Sequence, residues 1–299
     1  MLYDINIQEV KTMEKSKVYF IKDINPENII RAFDALGTEL PGNVAVKLHS
    51  GEPGNQNFLR PALMKSIIDK VGGTIVECNT AYDGGRDTTE AHRKTMQLHG
   101  WIDIAEVDIM DAEDQMEIPV VGGKHLEKNY VGATMPEYDS MLVLSHFKGH
   151  PMGGYGGALK NISIGLASSY GKKYIHGVKD INNFWNSDHD SFLECMADAA
   201  KSIVDRFAGK IAFVNVMANM SVDCDCCAVA ADPKVADIGI LSSLDPVALD
   251  QACIDLVYAS DDAGKADLIE RIESRNGVHT IEAAAAIGVG SREYELIEI

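Results

Sequence analysis

The residues best suited to chemistry lie in one glycine-rich stretch, SHFKGHPMGGYGGALKN, at positions 145–161. His146, Lys148 and His150 stand at alternating positions, so an extended backbone would direct all three side chains to one face. The glycines let a ligand approach the backbone closely, and Lys160 follows near the predicted start of a helix, whose N-terminal amides favour an anion. With His176 further along, the pattern predicts a ligand site. The alternative is a tight turn whose histidines bond to backbone carbonyls.

Residue type suggests a role for each member of this site. The stretch has neither the GxxxxGK[ST] spacing of a P-loop nor a GxGxxG pattern. Histidine titrates near neutral pH, so His150 and His176 are predicted to be catalytic, together with Lys160. A guanidinium can hold a carboxylate through two hydrogen bonds, which is why arginines are included among the binding residues. The predicted substrate-binding residues are Arg60, Arg86, His146, Lys148, Gly156, Gly157 and Asn161.

A second cluster is formed by Cys224, Cys226 and Cys227, three of the six cysteines in the chain. Thiolates bind soft or borderline metals, and Cys-x-Cys can supply two ligands to one ion or cluster. Asp223 and Asp225 could add oxygen ligands or only charge. We predict a metal ion or an iron–sulfur cluster here. The alternatives are inert buried cysteines and a redox-active thiol pair, although adjacent acidic residues raise the pKa of a thiol and so argue against the pair.

Composition restricts the partners of the chain. Its 299 residues carry 45 acidic and 27 basic side chains, a net charge of −18. Such a surface repels nucleic acid and anionic lipid, and no apolar run approaches the roughly 18 residues of a membrane span. The N-terminal segment is mixed and charged, unlike a signal peptide. We therefore expect a cytoplasmic protein whose partner is a small anionic ligand.

Short apolar runs alternate with amphipathic segments, which predicts an α/β fold with a mostly parallel sheet and flanking helices. The predicted strands are Val18–Ile21, Val44–Leu48, Thr74–Glu77, Met141–Leu144, Ile211–Val216 and Ile238–Leu241. The predicted helices are Pro26–Leu40, Leu59–Val71, Thr88–His99, Asp190–Phe207, Pro246–Tyr258 and Thr280–Ile287. Two lobes with a cleft between them are expected, with a boundary near 177–188, and free sheet edges would allow a homodimer. Because parallel sheets place ligands at the carboxyl ends of their strands, the glycine-rich stretch and the nearby Lys47 and His49 are well placed.

Five motifs, taken together, resemble the DUF362 family, a group without an assigned function. They are SHFKGHPMGGYGGALKN, CNTAYDGGRDTTEAHRKTMQLHG, CDCC, PKVADIGILSSLDPVALDQACIDLV and IGVGSREYELIEI. The resemblance implies a single domain over residues 1–299. Many relatives insert a ferredoxin-like module after the position of His176, with cysteines spaced for four-iron clusters. This chain has no CxxCxxC run, so the electron-transfer role of those relatives is not implied for it.

A second resemblance is to the lactate racemase family. It rests on His150, Lys160 and His176, in this order, and on FLRP at 58–61, which is similar to an arginine-proline motif of that family. The residues before FLRP are Asn55, Gln56 and Asn57, where that family has acidic residues. The resemblance implies that Lys160 tethers a nickel-containing cofactor, that one histidine binds the nickel and that another moves a proton. The chemistry would then be hydride or proton movement at a carbon next to a carboxylate.

Three functions are compatible with these observations. The first is a metal-dependent enzyme, an isomerase or oxidoreductase, that acts on a small carboxylate-type anion. The second is a non-catalytic iron–sulfur or metal-binding protein centred on Cys224, Cys226 and Cys227. The third is a module that binds a small anion without chemistry. Site-like residues outside the cysteine cluster outnumber those inside it, which favours the enzyme.

Overall fold

The structure, a computed structural model, describes residues 15–299. Most of the segment compared with signal peptides lies outside these described residues. Within them the strands are Ser16–Ile21 (β1), Val44–Lys47 (β2), Thr74–Glu77 (β3), Val107–Ile109 (β4), Gln115–Pro119 (β5), Lys128–Gly132 (β6), Ser140–His146 (β7), Lys148–His150 (β8), Gly154–Gly156 (β9), Ile211–Met217 (β10), Gly239–Ser243 (β11) and Tyr294–Glu298 (β12). The α-helices are Pro26–Asp34 (α1), Pro61–Val71 (α2), Thr89–His99 (α3), Ala158–Ser163 (α4), Ser169–His176 (α5), His189–Arg206 (α6), Pro246–Ala259 (α7), Lys265–Ser274 (α8) and Val278–Ala286 (α9). None of these helices combines the length and the hydropathy that a membrane crossing requires.

Eight strands form one central sheet in the order β12-β1-β11-β10-β7-β2-β3-β4. Strand β11 runs antiparallel to both of its neighbours, β1 and β10, and every other neighbouring pair is parallel. The predicted α/β fold with a mostly parallel sheet is therefore confirmed. The sheet contains strands from both sides of the segment 177–188. Two small antiparallel hairpins, β5–β6 and β8–β9, stand apart from it.

The central strands bury both of their faces. On β7, Leu142 and Leu144 belong to one apolar cluster, which includes residues of α1, α2 and α3. Met141 and Val143 belong to another cluster, which includes residues of α4, α6, α7 and α9. Because successive side chains of a strand point to opposite faces, a strand covered on both sides has a continuous apolar run. This pattern made the central strands predictable.

Two helix starts follow the capping rules on which their prediction rested. The side chains of Asn25 and Asp245 each accept a hydrogen bond from amides in the first turn of α1 and α7, and each is followed by proline. Helix α1 ends at Asp34, however, and the predicted extension to Leu40 is wrong. The chain leaves the helix through Gly37, whose φ of +60° is a left-handed conformation that glycine adopts without strain.

The N-terminal amides of α4 are not free for an external anion, contrary to the expectation from sequence. The carboxylate of Asp250 accepts hydrogen bonds from Ala158 N at 2.8 Å and Leu159 N at 2.9 Å. A side-chain amide on β10 and a tyrosine hydroxyl on β9 also donate to it. Burial raises the pKa of Asp250 to about 6 in spite of these donors. An internal carboxylate thus occupies this helix end, and a side chain at Gly157 would overlap it.

Glu194 on α6 connects three parts of the structure. One carboxylate oxygen accepts hydrogen bonds from Lys124 Nζ at 2.6 Å and His279 Nε2 at 2.9 Å, and the other accepts from His125 Nε2 at 2.5 Å. Burial would raise the pKa of Glu194, but these hydrogen bonds lower it to about 2. The ionised carboxylate therefore stabilises the packing of α6 against α9 and against the loop after β5.

We expect Glu194 to contribute to acid unfolding. A carboxyl group whose pKa is depressed in the folded state stabilises the protein above its unfolded pKa, and this contribution is lost as the pH falls. Between about pH 5 and pH 2, wild type should lose more free energy of unfolding than Glu194→Gln does. Urea denaturation at a series of pH values measures the difference. Parallel curves for the two proteins would contradict the prediction.

Candidate functional site

A cavity of about 310 Å³ opens at the carboxyl edge of the sheet, beside the ends of β2, β3 and β7. Sites for small molecules have volumes of about 300–1,000 Å³. Helix α5, the segment 177–188 and the cysteine cluster also contribute to its walls. The position agrees with the rule that parallel sheets bind ligands beyond the carboxyl ends of their strands.

The cavity collects most of the residues predicted from sequence. Those that line it are Arg86, His146, Lys148, His150, Gly156, Gly157, Lys160, Asn161, His176, Cys226 and Cys227. Arg60 is not among them. It is exposed at the start of α2, where its guanidinium lies 4.1 Å from the ring centre of Phe58 and donates to the carbonyl of Gln56 at 2.6 Å. The structure brings these residues together around one cavity, and the roles assigned to them stay predictions.

The glycine-rich stretch and the cysteine cluster form one site because their backbones touch. Gly149 N donates to the carbonyl of Ser221 at 2.8 Å. A side chain at Gly149 would overlap the backbone of Val222, so this close approach requires glycine. The strand β8 thereby carries His150 up to the cysteines that follow Val222 in sequence.

A buried carboxylate joins the same two segments. Asp225, between the cysteines, accepts hydrogen bonds from His146 Nδ1 at 2.9 Å and Lys148 Nζ at 3.0 Å. The other ring nitrogen of His146 donates to the carbonyl of Ala218 at 2.6 Å. His146 therefore has no ring nitrogen free for a ligand. Burial would lower the pKa of Lys148, but the Asp225 carboxylate raises it above its usual value.

The segment after β2 holds the cysteine cluster from the other side. Asn55 Nδ2 donates to the carbonyl of Cys227 at 2.8 Å, and Glu52 N donates to the carbonyl of Asp225 at 2.8 Å. The carboxylate of Glu52 accepts from Arg86 Nε at 2.8 Å, and both side chains are buried. Arg86 is thus fixed at the cavity wall by an internal partner.

Sequence reasoning missed two buried charged residues at this wall. Glu77 ends β3 and forms an ion pair with Lys47 at 3.1 Å. Burial would raise the pKa of Glu77, but Lys47 holds it below its usual range. Lys172 on α5 donates to the carbonyl of Ala167 at 2.6 Å, and burial lowers its pKa. The position of Glu77 at the end of a strand could have identified it as a site residue from sequence. Lys172 gave no such signal, apart from being one of two adjacent lysines.

The cavity wall carries more positive than negative charge. Its cationic side chains are Arg86, Lys148, Lys160 and Lys172, and Glu77 is the carboxylate among the lining residues. Arg86 and Lys148 have carboxylate partners, but within residues 15–299 no protein group accepts a hydrogen bond from the ammonium of Lys160. A site of this sign in a chain of net charge −18 is suited to an anion.

A group of three donors beside the cavity could hold a metal ion. One atom each of His150, Cys224 and Cys226 lies within 4.8 Å of the others, and His150 Nε2 is 3.9 Å from Cys226 Sγ. Nitrogen and sulfur ligands of a tetrahedral zinc ion are separated by about 3.5 Å, given bond lengths of about 2.0 and 2.3 Å. Two sulfurs and an imidazole therefore fit a soft or borderline metal. Cys227, predicted as a third sulfur ligand, lines the cavity outside this group.

The three neighbouring thiols influence one another's pKa. Contact with Cys226, together with burial, raises the pKa of Cys224. The neighbouring Cys226 lowers the pKa of Cys227. The remaining cysteines, Cys78, Cys195 and Cys253, are buried in the apolar clusters, and Cys78 also lines the cavity.

The two candidate catalytic histidines have opposite hydrogen-bonding patterns. Nδ1 of His150 accepts from Gly153 N at 2.8 Å, so the neutral ring carries its hydrogen on Nε2, which faces Cys226. Nδ1 of His176 donates to the carbonyl of Lys172 at 2.7 Å, which leaves a lone pair on Nε2. This second pattern is typical of a metal-binding or basic imidazole. His150 could bind a metal through Nε2 only after its ring hydrogen moved to Nδ1, which would break the hydrogen bond from Gly153 N.

Removal of the Asp225 charge should destabilise the protein strongly. Asp225→Asn leaves two buried donors, His146 and Lys148, without their carboxylate, and we expect a loss of about 3 kcal/mol in the free energy of unfolding. Asp223→Asn is the matched control, because Asp223 is two residues away and forms a part-exposed ion pair with Arg271. A loss below about 1 kcal/mol is expected there. Urea denaturation measures both, and equal losses would contradict the prediction.

The tautomers of the two histidines can be observed directly. Burial lowers the pKa of His150 to about 4 and that of His176 to about 3, so both rings should be neutral at about pH 7. In metal-free protein, two-bond ¹⁵N–¹H spectra should show a hydrogen on Nε2 of His150 and on Nδ1 of His176. His150→Gln and His176→Gln assign the signals. The same tautomer at both positions would contradict the geometry.

Comparisons with known proteins agree with the sequence motifs. The family model described as "Domain of unknown function (DUF362)" matches residues 44–255. No protein of curated function matches the chain. A protein from Thermotoga maritima aligns with a TM-score of 0.45 and 9% identity, over 89% of this chain and 60% of its own length. The lactate racemase apoprotein from Thermoanaerobacterium thermosaccharolyticum aligns with a TM-score of 0.43 and 13% identity, over 95% of this chain and 83% of its own.

The family match includes the ends of β2, β3 and β7, the glycine-rich stretch and the cysteine cluster. All the cavity residues described above therefore lie inside it. The chain belongs to the DUF362 family.

Proposed function

We propose that the chain is an enzyme that acts on a small carboxylate-type anion, with a metal ion or metal-containing cofactor at the sulfur end of its cavity. One observation carries the proposal. The cationic wall around Lys160 adjoins the donor group of His150, Cys224 and Cys226, of which His150 and Cys226 line the same cavity. A substrate held by the cationic wall would lie against a metal bound by the donor group.

The charges of the wall support an anionic substrate. Lys148 and Lys160 both lie next to Gly156, since a side chain at that position would be 3.7 Å from Lys148 Nζ and 3.6 Å from Lys160 Cδ. The Lys148 charge is offset by Asp225, whereas Lys160 has no such partner within residues 15–299. In a low-dielectric cavity a carboxylate gains more from this ammonium than it would in water. Lys160 is accordingly the residue proposed to neutralise the substrate.

The donor set supports a metal. Cys224 and Cys226 would supply thiolates and His150 an imidazole nitrogen, which suits zinc, iron or nickel more than magnesium or calcium. A bound metal would supply Lewis-acid or redox chemistry next to the anion. His176, with its free Nε2, is proposed to take a proton from the carbon next to the carboxylate, which is isomerase chemistry. Attachment of a nickel-containing cofactor to Lys160 is an alternative form of the proposal, in which Lys160 would hold the cofactor and no longer neutralise the substrate.

The second candidate is a non-catalytic metal-binding protein. The proximity of Cys224 and Cys226, with Cys227 next in sequence, favours it, because adjacent sulfurs could hold an ion or cluster without any substrate. The cationic wall and the lone pair of His176 have no use in that function. We therefore prefer the enzyme.

Metal content and anion binding test the proposal together. Protein purified without oxygen should contain zinc, iron or nickel, and Cys226→Ser should lower that content while Cys253→Ser, in the buried core, should not. Isothermal titration with acetate and 2-hydroxypropanoate should show binding that Lys160→Ala weakens about tenfold, the loss of roughly one charge-assisted hydrogen bond. Lys94→Ala, on the exposed face of α3, is the matched control.

The outcomes separate the candidates. Deuterium incorporation from heavy water at the carbon next to the carboxylate, abolished in His176→Ala, would support the isomerase form. Metal with acid-labile sulfide but no carboxylate binding would favour the non-catalytic protein. Protein that holds no metal and binds no carboxylate would overturn both.

A further inference from the structure

Trp185 has an unusual position for a large apolar side chain. It lines the cavity, yet 66% of its surface is exposed to solvent. The other tryptophan of the chain, Trp101, is 1% exposed in the core. The cationic residues Arg86 and Lys148 are buried, so the cavity is charged at depth and aromatic at its mouth.

The segment that carries Trp185 is held in a defined conformation. Val178 and Lys179 have φ angles of +53° and +75°, a left-handed conformation that is strained for residues other than glycine, and especially for a β-branched one. Lys179 N donates to the carbonyl of Tyr174 at 2.8 Å, and Ser187 Oγ donates to the carbonyl of His176. Strain of this kind persists where the surrounding contacts impose it. The turn directs the following residues back over the cavity.

A column of rings supports the mouth. His176 lies between Phe192, at a ring-centre distance of 4.7 Å, and Phe184, at 4.6 Å. Phe184 packs edge-on against Trp185 at 4.3 Å. Phe192 is in the core, so Trp185 stands at the outer end of a stack that begins inside the protein. Its indole is positioned by Phe184 but leaves most of its own surface free.

We propose that the ligand of this cavity is an arylcarboxylate, whose planar apolar group packs against Trp185 and Phe184 while its carboxylate reaches Lys160. The proposal deepens the proposed function, because it uses the same anion site and adds the class of substrate. Burial of the exposed indole surface under a planar ring would contribute favourable free energy. An acetate-sized ligand would leave that surface in water, so Trp185 sets the preference for ring-bearing anions.

Three probes of equal charge test the proposal: acetate, cyclohexanecarboxylate and benzoate. Wild type, with the metal it retains on purification, should bind benzoate most tightly by isothermal titration. Trp185→Ala should weaken benzoate about five- to tenfold and leave acetate unchanged. Trp185→Phe should retain most of the benzoate affinity. Tyr258→Ala, which removes a 38% exposed aromatic ring on α7 away from the cavity, should change neither.

Each of the other outcomes would overturn a specific part of the arylcarboxylate proposal. Equal affinities for benzoate and acetate, with both weakened by Lys160→Ala, would overturn the arylcarboxylate proposal and leave the anion site intact. Equal affinities for benzoate and cyclohexanecarboxylate would overturn the planar preference. If neither acetate nor benzoate binds, the arylcarboxylate proposal and the proposed function fail together. A Trp185→Ala protein with wild-type benzoate affinity would exclude the indole from recognition.

Discussion

The candidate site depends on one buried carboxylate. Asp225 has a side chain that is 2% exposed, and an ionised group so deep in a protein is costly unless it is paired. Its partners, His146 and Lys148, come from the end of β7 and from β8. The same interaction therefore satisfies the charge and fastens the cysteine cluster to the glycine-rich stretch. It adds a buried ion pair to the backbone hydrogen bond from Gly149 to Ser221, which joins the same two segments.

Two further buried cations beside the cavity follow the same rule, whereas the buried Lys172 and the half-buried Lys160 have no ion-pair partner within residues 15–299. Lys47 is paired with Glu77, and Arg86 with Glu52. Unpaired charge in a cavity is unfavourable for stability, and departures of this kind are concentrated at functional sites. The mostly cationic wall that results stands out against an acidic chain. It is the physical basis of the proposed anion site, independent of any metal.

Membership of the DUF362 family specifies no activity, so the chemistry has to come from the site itself. Here the two imidazoles differ in the one respect that matters for proton transfer. His150 accepts at Nδ1 from a backbone amide and points an N–H at sulfur, whereas His176 donates at Nδ1 to a carbonyl and keeps a lone pair. Both patterns are imposed by backbone groups, the amide of Gly153 and the carbonyl of Lys172 within α5. Because the ring hydrogen lies on a different nitrogen in each, Nε2 of His150 can donate a hydrogen bond, whereas Nε2 of His176 can accept a proton.

Much of the fold was readable from the chain because it rests on local patterns. Continuous apolar runs marked β2, β7 and β10, and the capping residues Asn25 and Asp245 marked two helices. Most residues of the site could also be predicted, because clustered glycines, histidines and cysteines are easily recognised in a sequence. Short strands such as β4, β8 and β12 escaped notice, since three to five residues carry little periodicity.

The family, the α/β class and most residues suited to catalysis or binding can be read from the chain alone. Tertiary structure decided which of them meet, because contacts between distant segments leave no local pattern in the chain. Only the fold excludes Arg60 from the cavity, assigns Asp250 to the amides of α4 and brings in Lys172. It also decided the hydrogen positions of the histidines, which depend on neighbours that packing alone supplies.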